Sequence, residues 1–155
     1  MSVKRVSSGG PWEDLYSYSR AVAAGGWIVT AGCTSTVDGV VTNVGDAAAQ
    51  ARQAFEIALD AVIAAGGDPD DVVRTRMYVV NHDDADAVCR VHGEVFATVK
   101  PAAALLVVSR LLHPDHLVEV EVEAFHPEPP LLPLPPLPSL PPTPPSSAEP
   151  TADLG

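Results

Sequence analysis

The stretch Leu117-Val118-Glu119-Val120-Glu121-Val122-Glu123-Ala124-Phe125 decides how the chain is read. Strict alternation is the period of a β-strand, whose successive side chains point to opposite faces. Val118, Val120, Val122 and Ala124 share one face and belong in a core, while Glu119, Glu121 and Glu123 share the other. Carboxylates on one strand face recur about every 7 Å and repel one another. Such a row persists in water, opposite bases, or beneath a second subunit. Arg74, Arg76 and Arg20 are the available bases. In one reading, Glu119 and Glu123 pair with arginines across a solvated sheet face, each exposed pair contributing only tenths of a kcal/mol. In the other, a neighbouring subunit covers the row and a carboxylate there does chemistry.

Outward from that strand, residues 102–110 read as a strand and residues 112–116 as a turn. Residues 71–80 read as a two-faced strand, with Val73, Thr75, Met77 and Val79 on one side and Val72, Arg74, Arg76 and Tyr78 on the other. Two helices are expected. Asp46 caps the first, and Ala51, Ala54, Phe55, Ala58, Val62 and Ala65 form its apolar stripe. Gly66-Gly67 and then Pro69 end it. The second spans 83–97, with Val88, Val91, His92, Val95 and Phe96 inward, and Lys100-Pro101 breaks it. Residues 16–22 alternate weakly, Gly25-Gly26 turns a hairpin into Trp27-Ile28-Val29-Thr30, and Asp38-Gly39 centres another turn. The order β-β(-β)-α-β-α-β-β predicts an α+β fold, with two helices on one face of a mixed sheet.

The chain has 155 residues, with 20 acidic against 9 basic side chains. Twelve of its 16 prolines lie at or beyond Pro127, which divides it into a domain, 1–126, and a proline-rich tail, 127–155. The domain holds 17 acids and 9 bases, a net charge of −8, and lacks the basic footprint that phosphate binding requires. No nucleic-acid or membrane partner is therefore expected. The apolar run from Ala102 to Val108 is too short to span a bilayer, and the start leads into no apolar signal segment. A cytoplasmic protein is expected. Cys33 and Cys89 form no CxxC or zinc spacing, and a reducing compartment disfavours pairing them. His113 and His116 flank a Pro-Asp turn, and a metal is not expected there. The tail composition suits polyproline II or a solvated extension. Its PxxP spacings lack an accompanying Lys or Arg.

Four segments in order, Tyr18-Ser19-Arg20-Ala21-Val22, Trp27-Ile28-Val29-Thr30-Ala31-Gly32, Asp71 through Val79, and Pro101-Ala102-Ala103 through Val108-Ser109-Arg110-Leu111 to Val118-Glu119-Val120-Glu121, resemble the Rid family (the RidA/YjgF reactive-intermediate deaminases). The resemblance covers residues 8–125 and none of the tail. Ser8-Gly9-Gly10-Pro11-Trp12-Glu13 resembles the opening of a branch distinct from the RidA enzymes. The resemblance implies a chorismate-mutase-like homotrimer whose sheets line a central barrel, with small-molecule clefts between subunits. It implies hydrolysis of imines such as 2-aminoacrylate to a 2-oxo acid and ammonia, without metal or organic cofactor.

Residue by residue, the resemblance places a cleft tyrosine at Tyr18, for which a half-buried sheet aromatic is the plain alternative. It places the water-positioning glutamate at Glu121. Desolvation and like-charged neighbours would raise the proton affinity of such a carboxylate. Gly32 and Cys33 match a cleft wall, where a glycine lets a ligand approach the main chain.

Two positions depart from the pattern. Ala103 stands where the family presents a carboxylate-gripping arginine, and Cys89 where it presents an asparagine. Alanine offers nothing of a charge-assisted fork. Leu105 shares the strand face of Ala103 and makes that wall apolar. Cys89 reads equally as a small helix hydrophobe. Arg20, two residues after Tyr18, is the candidate replacement cation.

The pocket should therefore prefer a less acidic ligand than an amino-acid-derived imine. Three functions are expected in order: hydrolysis of an imine or enamine other than 2-aminoacrylate, a catalytically inactive small-molecule-binding trimer, and last a translation-linked or ribonucleolytic role.

Overall fold

The computed structural model of the protein describes residues 3–127, so all of the expected tail after Pro127 lies outside the described residues. Nine strands and three α-helices follow one another among them. They are β1 (Val3–Val6), α1 (Pro11–Tyr16), β2 (Ala21–Ala24), β3 (Trp27–Thr30), β4 (Cys33–Thr34), β5 (Thr36–Val37), β6 (Val40–Val41), α2 (Ala47–Ala65), β7 (Val72–Val79), α3 (Ala85–Val95), β8 (Ala102–Val107) and β9 (Val118–Phe125). The main sheet runs β1-β2-β3-β9-β7-β8, with β4 also pairing β9. Only β7 and β8 are parallel, joined across the sheet by α3. The fold is the expected α+β arrangement, a mixed sheet with α2 and α3 over one face.

Local chemistry explains the elements. Asp46 accepts the Ala49 amide at 2.9 Å and caps α2, and Gly66 closes it in a left-handed conformation with φ of 108°. The β2–β3 and β5–β6 turns place Gly25-Gly26 and Asp38-Gly39 at positive φ, as tight two-residue hairpins require. The alanine stripe of α2 is fully buried and lets the helix lie close on Val118, Val120, Val122 and Ala124. Gln50 is also buried, and its amide bonds the Asp115 carbonyl and the Leu117 amide at 2.8 Å each. It thereby fixes the entry to β9 against α2.

Three expectations change. Residues 16–22 are not one strand: Pro11 opens the short α1, Ser17 closes it at φ of 57°, and β2 starts only at Ala21. Six helical residues show too little periodicity to read from sequence. The first residues of β7 are exchanged, because a register shift between Val72 and Arg74 buries Val72 (3% exposed) and turns Val73 out (40%). Beyond that bulge Thr75, Met77 and Val79 point inward as expected. Finally, β8 ends at Val107, three residues early, although the Val108 amide still bonds the Val79 carbonyl.

Candidate active site

The β7–β9 register decides what each carboxylate of the row meets. Glu123 lies opposite Arg74, Glu121 opposite Arg76, and Glu119 opposite Tyr78. Arg76 Nη1 donates to Glu123 at 2.7 Å and to Glu121 at 3.3 Å, and Arg74 Nε stands 3.8 Å from Glu123. The Tyr78 hydroxyl also donates to Glu121 at 3.3 Å. The cross-strand pairing expected for Glu123 is present. That expected for Glu119 is not, because the register gives it a phenol instead of a guanidinium.

Glu119 rests against the backbone of Gly32, where a methyl group would collide with its carboxylate. Burial, and then the neighbouring charge of Glu121, push its proton affinity up, with Arg20 opposing. The row thus contains a carboxyl of raised proton affinity at Glu119. Tyr78 is also pushed up, by its own burial and by Glu121.

Arg20 organises the adjoining wall. Its Nη1 donates to the Gly32 carbonyl at 2.8 Å and approaches Cys33 Sγ at 3.6 Å, and its Nη2 reaches the Tyr18 hydroxyl at 3.4 Å. Its Nε lies 3.7 Å from Glu13, which is 4% exposed. Burial opposes the charge of Glu13, but hydrogen bonds from Ser7 and Ser8 and the nearby Arg20 more than offset it and lower its pKa. Arg20 is therefore a paired cation with little exposed surface, and Tyr18 touches it without the two sharing a regular strand. Cys33 is buried, which pushes its thiol pKa up.

The remaining residues lie elsewhere. In the parallel register Ala103 sits beside Thr75 and Leu105 beside Met77; Thr75 and Met77 are buried under the helices, Leu105 is partly buried and Ala103 is exposed. Ala103 and Leu105 therefore occupy the helix side of β8, and Glu121 occupies the opposite side of the sheet. Cys89 is exposed on α3, so it does not fill the core of its own chain. Tyr18, Arg20, Gly32, Glu119 and Glu121 thus lie in one group, and Cys89, Ala103 and Leu105 in another. A shallow cavity of about 200 Å³ between the β2–β3 turn and the end of α2 contains none of them.

Comparison with known proteins matches the family described as Endoribonuclease L-PSP to residues 13–126. The chain belongs to this family, the YjgF/RidA family. It is 40% identical over 124 residues to the uncharacterized protein SCO2049 of Streptomyces coelicolor, covering 80% of this chain and 92% of that one. It is 35% identical over 80 residues to the 3-aminoacrylate deaminase RutC of Acinetobacter baylyi, covering 52% of this chain and 63% of RutC. The crystal structure of Rv2704 from Mycobacterium tuberculosis, a member of the YjgF/YER057c/UK114 family, superimposes with a TM-score of 0.73 at 38% identity, over 80% of this chain and 99% of that one.

Three residues of this YjgF/RidA chain escaped the sequence reading. Glu13 was given no role in the opening segment Ser8–Glu13, and only the packing of Ser7, Ser8 and Arg20 around it buries it. Tyr78 was placed on the correct strand face, but its contact with Glu121 depends on a register that one strand cannot reveal. Glu119 was grouped with Glu123, and a register of β7 against β9 would have separated them.

Proposed function

We propose that this YjgF/RidA protein assembles as a homotrimer and binds a small reactive metabolite in clefts between subunits. There it hydrolyses an imine or enamine other than 2-aminoacrylate. The observation that carries this reading is the division of the candidate residues between the two faces of the sheet. Ala103 and Glu121 cannot face one another within one chain, so a cleft that uses both needs a second copy. β8 supports the same assembly, because among the described residues it pairs only with β7 and leaves Leu106 and Val107 half-exposed at a sheet edge.

In that cleft Glu121, held by Tyr78 and Arg76, orients the attacking water, and Tyr18 shapes the wall with Gly32 and the Cys33 backbone. Arg20 braces that wall, and with Glu13 beside it the site gains little net positive charge. Ala103 and Leu105 of a neighbour supply an apolar side with no fork for a carboxylate. The deaminase activity of the relative RutC, a 3-aminoacrylate deaminase, supports C=N hydrolysis as the reaction class. The ribonuclease activity that the family name Endoribonuclease L-PSP denotes is disfavoured by the net charge of −8 over residues 1–126. A non-catalytic binder is the second reading, favoured by the absence of any polar atom on the Ala103 side chain.

Two probes test this: the imine formed in situ by an amine oxidase from benzylamine, and that formed by an amino-acid oxidase from L-leucine. Wild type should accelerate ammonia release and suppress semicarbazone formation, more with the first probe, and Glu121→Gln should abolish both effects. Activity that appears only in Ala103→Arg would overturn the enzyme reading in favour of the binder.

A further inference from the structure

We propose that Glu119 is the general acid of this site, protonating the imine nitrogen while Glu121 takes the proton of the attacking water. This rests on the imine-hydrolase reading above and adds a catalytic residue to it. The geometry provides two carboxyl groups on one sheet face, two residues apart and so about 7 Å along the strand. That span leaves room for a water beside one carboxyl and a C=N group beside the other. The two have been given opposite surroundings. Glu121 receives Arg76 at 3.3 Å and the Tyr78 hydroxyl at 3.3 Å, both of which stabilise its anion. Glu119 has neither an ion-pair partner nor a side-chain donor among the described residues, and it packs against bare backbone at Gly32.

The charged and titratable groups around Glu119 are Glu121 on its own strand, Tyr78 on β7, and Arg20 and Cys33 on the β4 side. Its register partner on β4 is Thr34, which does not ionise. Only Arg20 favours the anion, and Glu13 already stands 3.7 Å from Arg20. Burial and the charge of Glu121 both favour the acid form. Two neighbouring carboxyls, one in an ion pair and one without a partner, are a usual arrangement for a paired acid and base.

The reaction balances with water alone. As water adds to the C=N carbon, one of its protons passes to the Glu121 carboxylate and the C–O bond forms. The C=N π pair moves to nitrogen, which takes the proton of Glu119, giving a neutral carbinolamine. The C–N bond then breaks with its electron pair going to nitrogen, which takes the proton now on Glu121. The carbinolamine hydroxyl proton returns to Glu119. A carbonyl compound and ammonia leave, and both carboxyl groups regain their starting states.

The test uses the full chain and the benzylamine-derived imine, with kcat/KM measured against pH. Wild type should show an alkaline limb from Glu119. Glu119→Gln should lower kcat/KM about 100-fold and lose the alkaline limb. A variant within threefold of wild type, with the alkaline limb intact, overturns the proposal and leaves the hydrolase reading standing. A wild type no faster than buffer overturns both. Carbon-13 carboxyl titration of the protein, assigned by the signal lost in Glu119→Gln, gives a second measurement that needs no turnover. A midpoint above the ordinary glutamate range is expected, and one within or below it overturns the assignment.

Discussion

The carboxylate of Glu119 lies against Gly32 so closely that no side chain fits between them. Gly32 has no positive φ to preserve, so alanine is tolerated by the backbone, and the obstacle is the tip of a flexible side chain. Gly32→Ala should therefore cost less than about 1 kcal/mol in urea denaturation. It should nonetheless displace the Glu119 carboxylate, visible as a shifted carboxyl titration. An unchanged titration would show that the contact does not set the environment of Glu119.

Glu13 is a buried acid beside a largely buried arginine. Removing its charge leaves Arg20 without a counter-ion, and Glu13→Gln should lose about 2 kcal/mol or more of stability at neutral pH. The sign of the pH effect follows from the lowered pKa of Glu13. In the unfolded chain it takes up its proton at a higher pH than in the folded one, so its contribution is complete above the unfolded value and is lost as pH falls through the folded one. Wild type and Glu13→Gln should converge in stability under acid. Parallel curves would contradict the buried pair.

Glu119 works in the opposite direction. Its pKa is raised, so the folded protein holds the proton to higher pH than the unfolded chain does. Stability contributed by the protonated form falls as pH rises from the unfolded value through the folded one, then levels off. Glu119→Gln should raise Tm above that window and leave it nearly unchanged below. A lower Tm at pH 8 would mean that the ionised carboxylate is stabilising where it stands.

Ala103 tests the missing cation. Ala103→Arg should raise the affinity for pyruvate at least tenfold, measured by calorimetry, because a guanidinium gives a carboxylate two charge-assisted hydrogen bonds. No gain would mean that Ala103 does not border the ligand.

The edge strand tests assembly. Wild type should sediment at about three times the 16.1 kDa chain. Leu106→Glu, at a half-exposed position on β8, should shift it toward one chain mass without unfolding it. A wild type that sediments as a single chain would remove the inter-subunit cleft.

Much of this protein was legible locally. The period of residues 118–125 separated buried valines from glutamates. The alanine stripe, Asp46 and Gly66 bounded α2, and the Gly25-Gly26 and Asp38-Gly39 pairs fixed two hairpins. These features depend on backbone geometry and side-chain spacing within a few residues, which a sequence states directly. Tertiary structure alone decided which arginine met which glutamate, since a one-residue bulge after Val72 sets the register that gives Arg76 to Glu121 and leaves Tyr78 opposite Glu119. It also buried Glu13, through Ser7, Ser8 and Arg20, and it set Ala103 and Glu121 on opposite sides of one sheet. Charge and proton affinity depend on neighbours that are distant in the chain, so the identity of these residues could be read from the sequence while their chemistry had to wait for the fold.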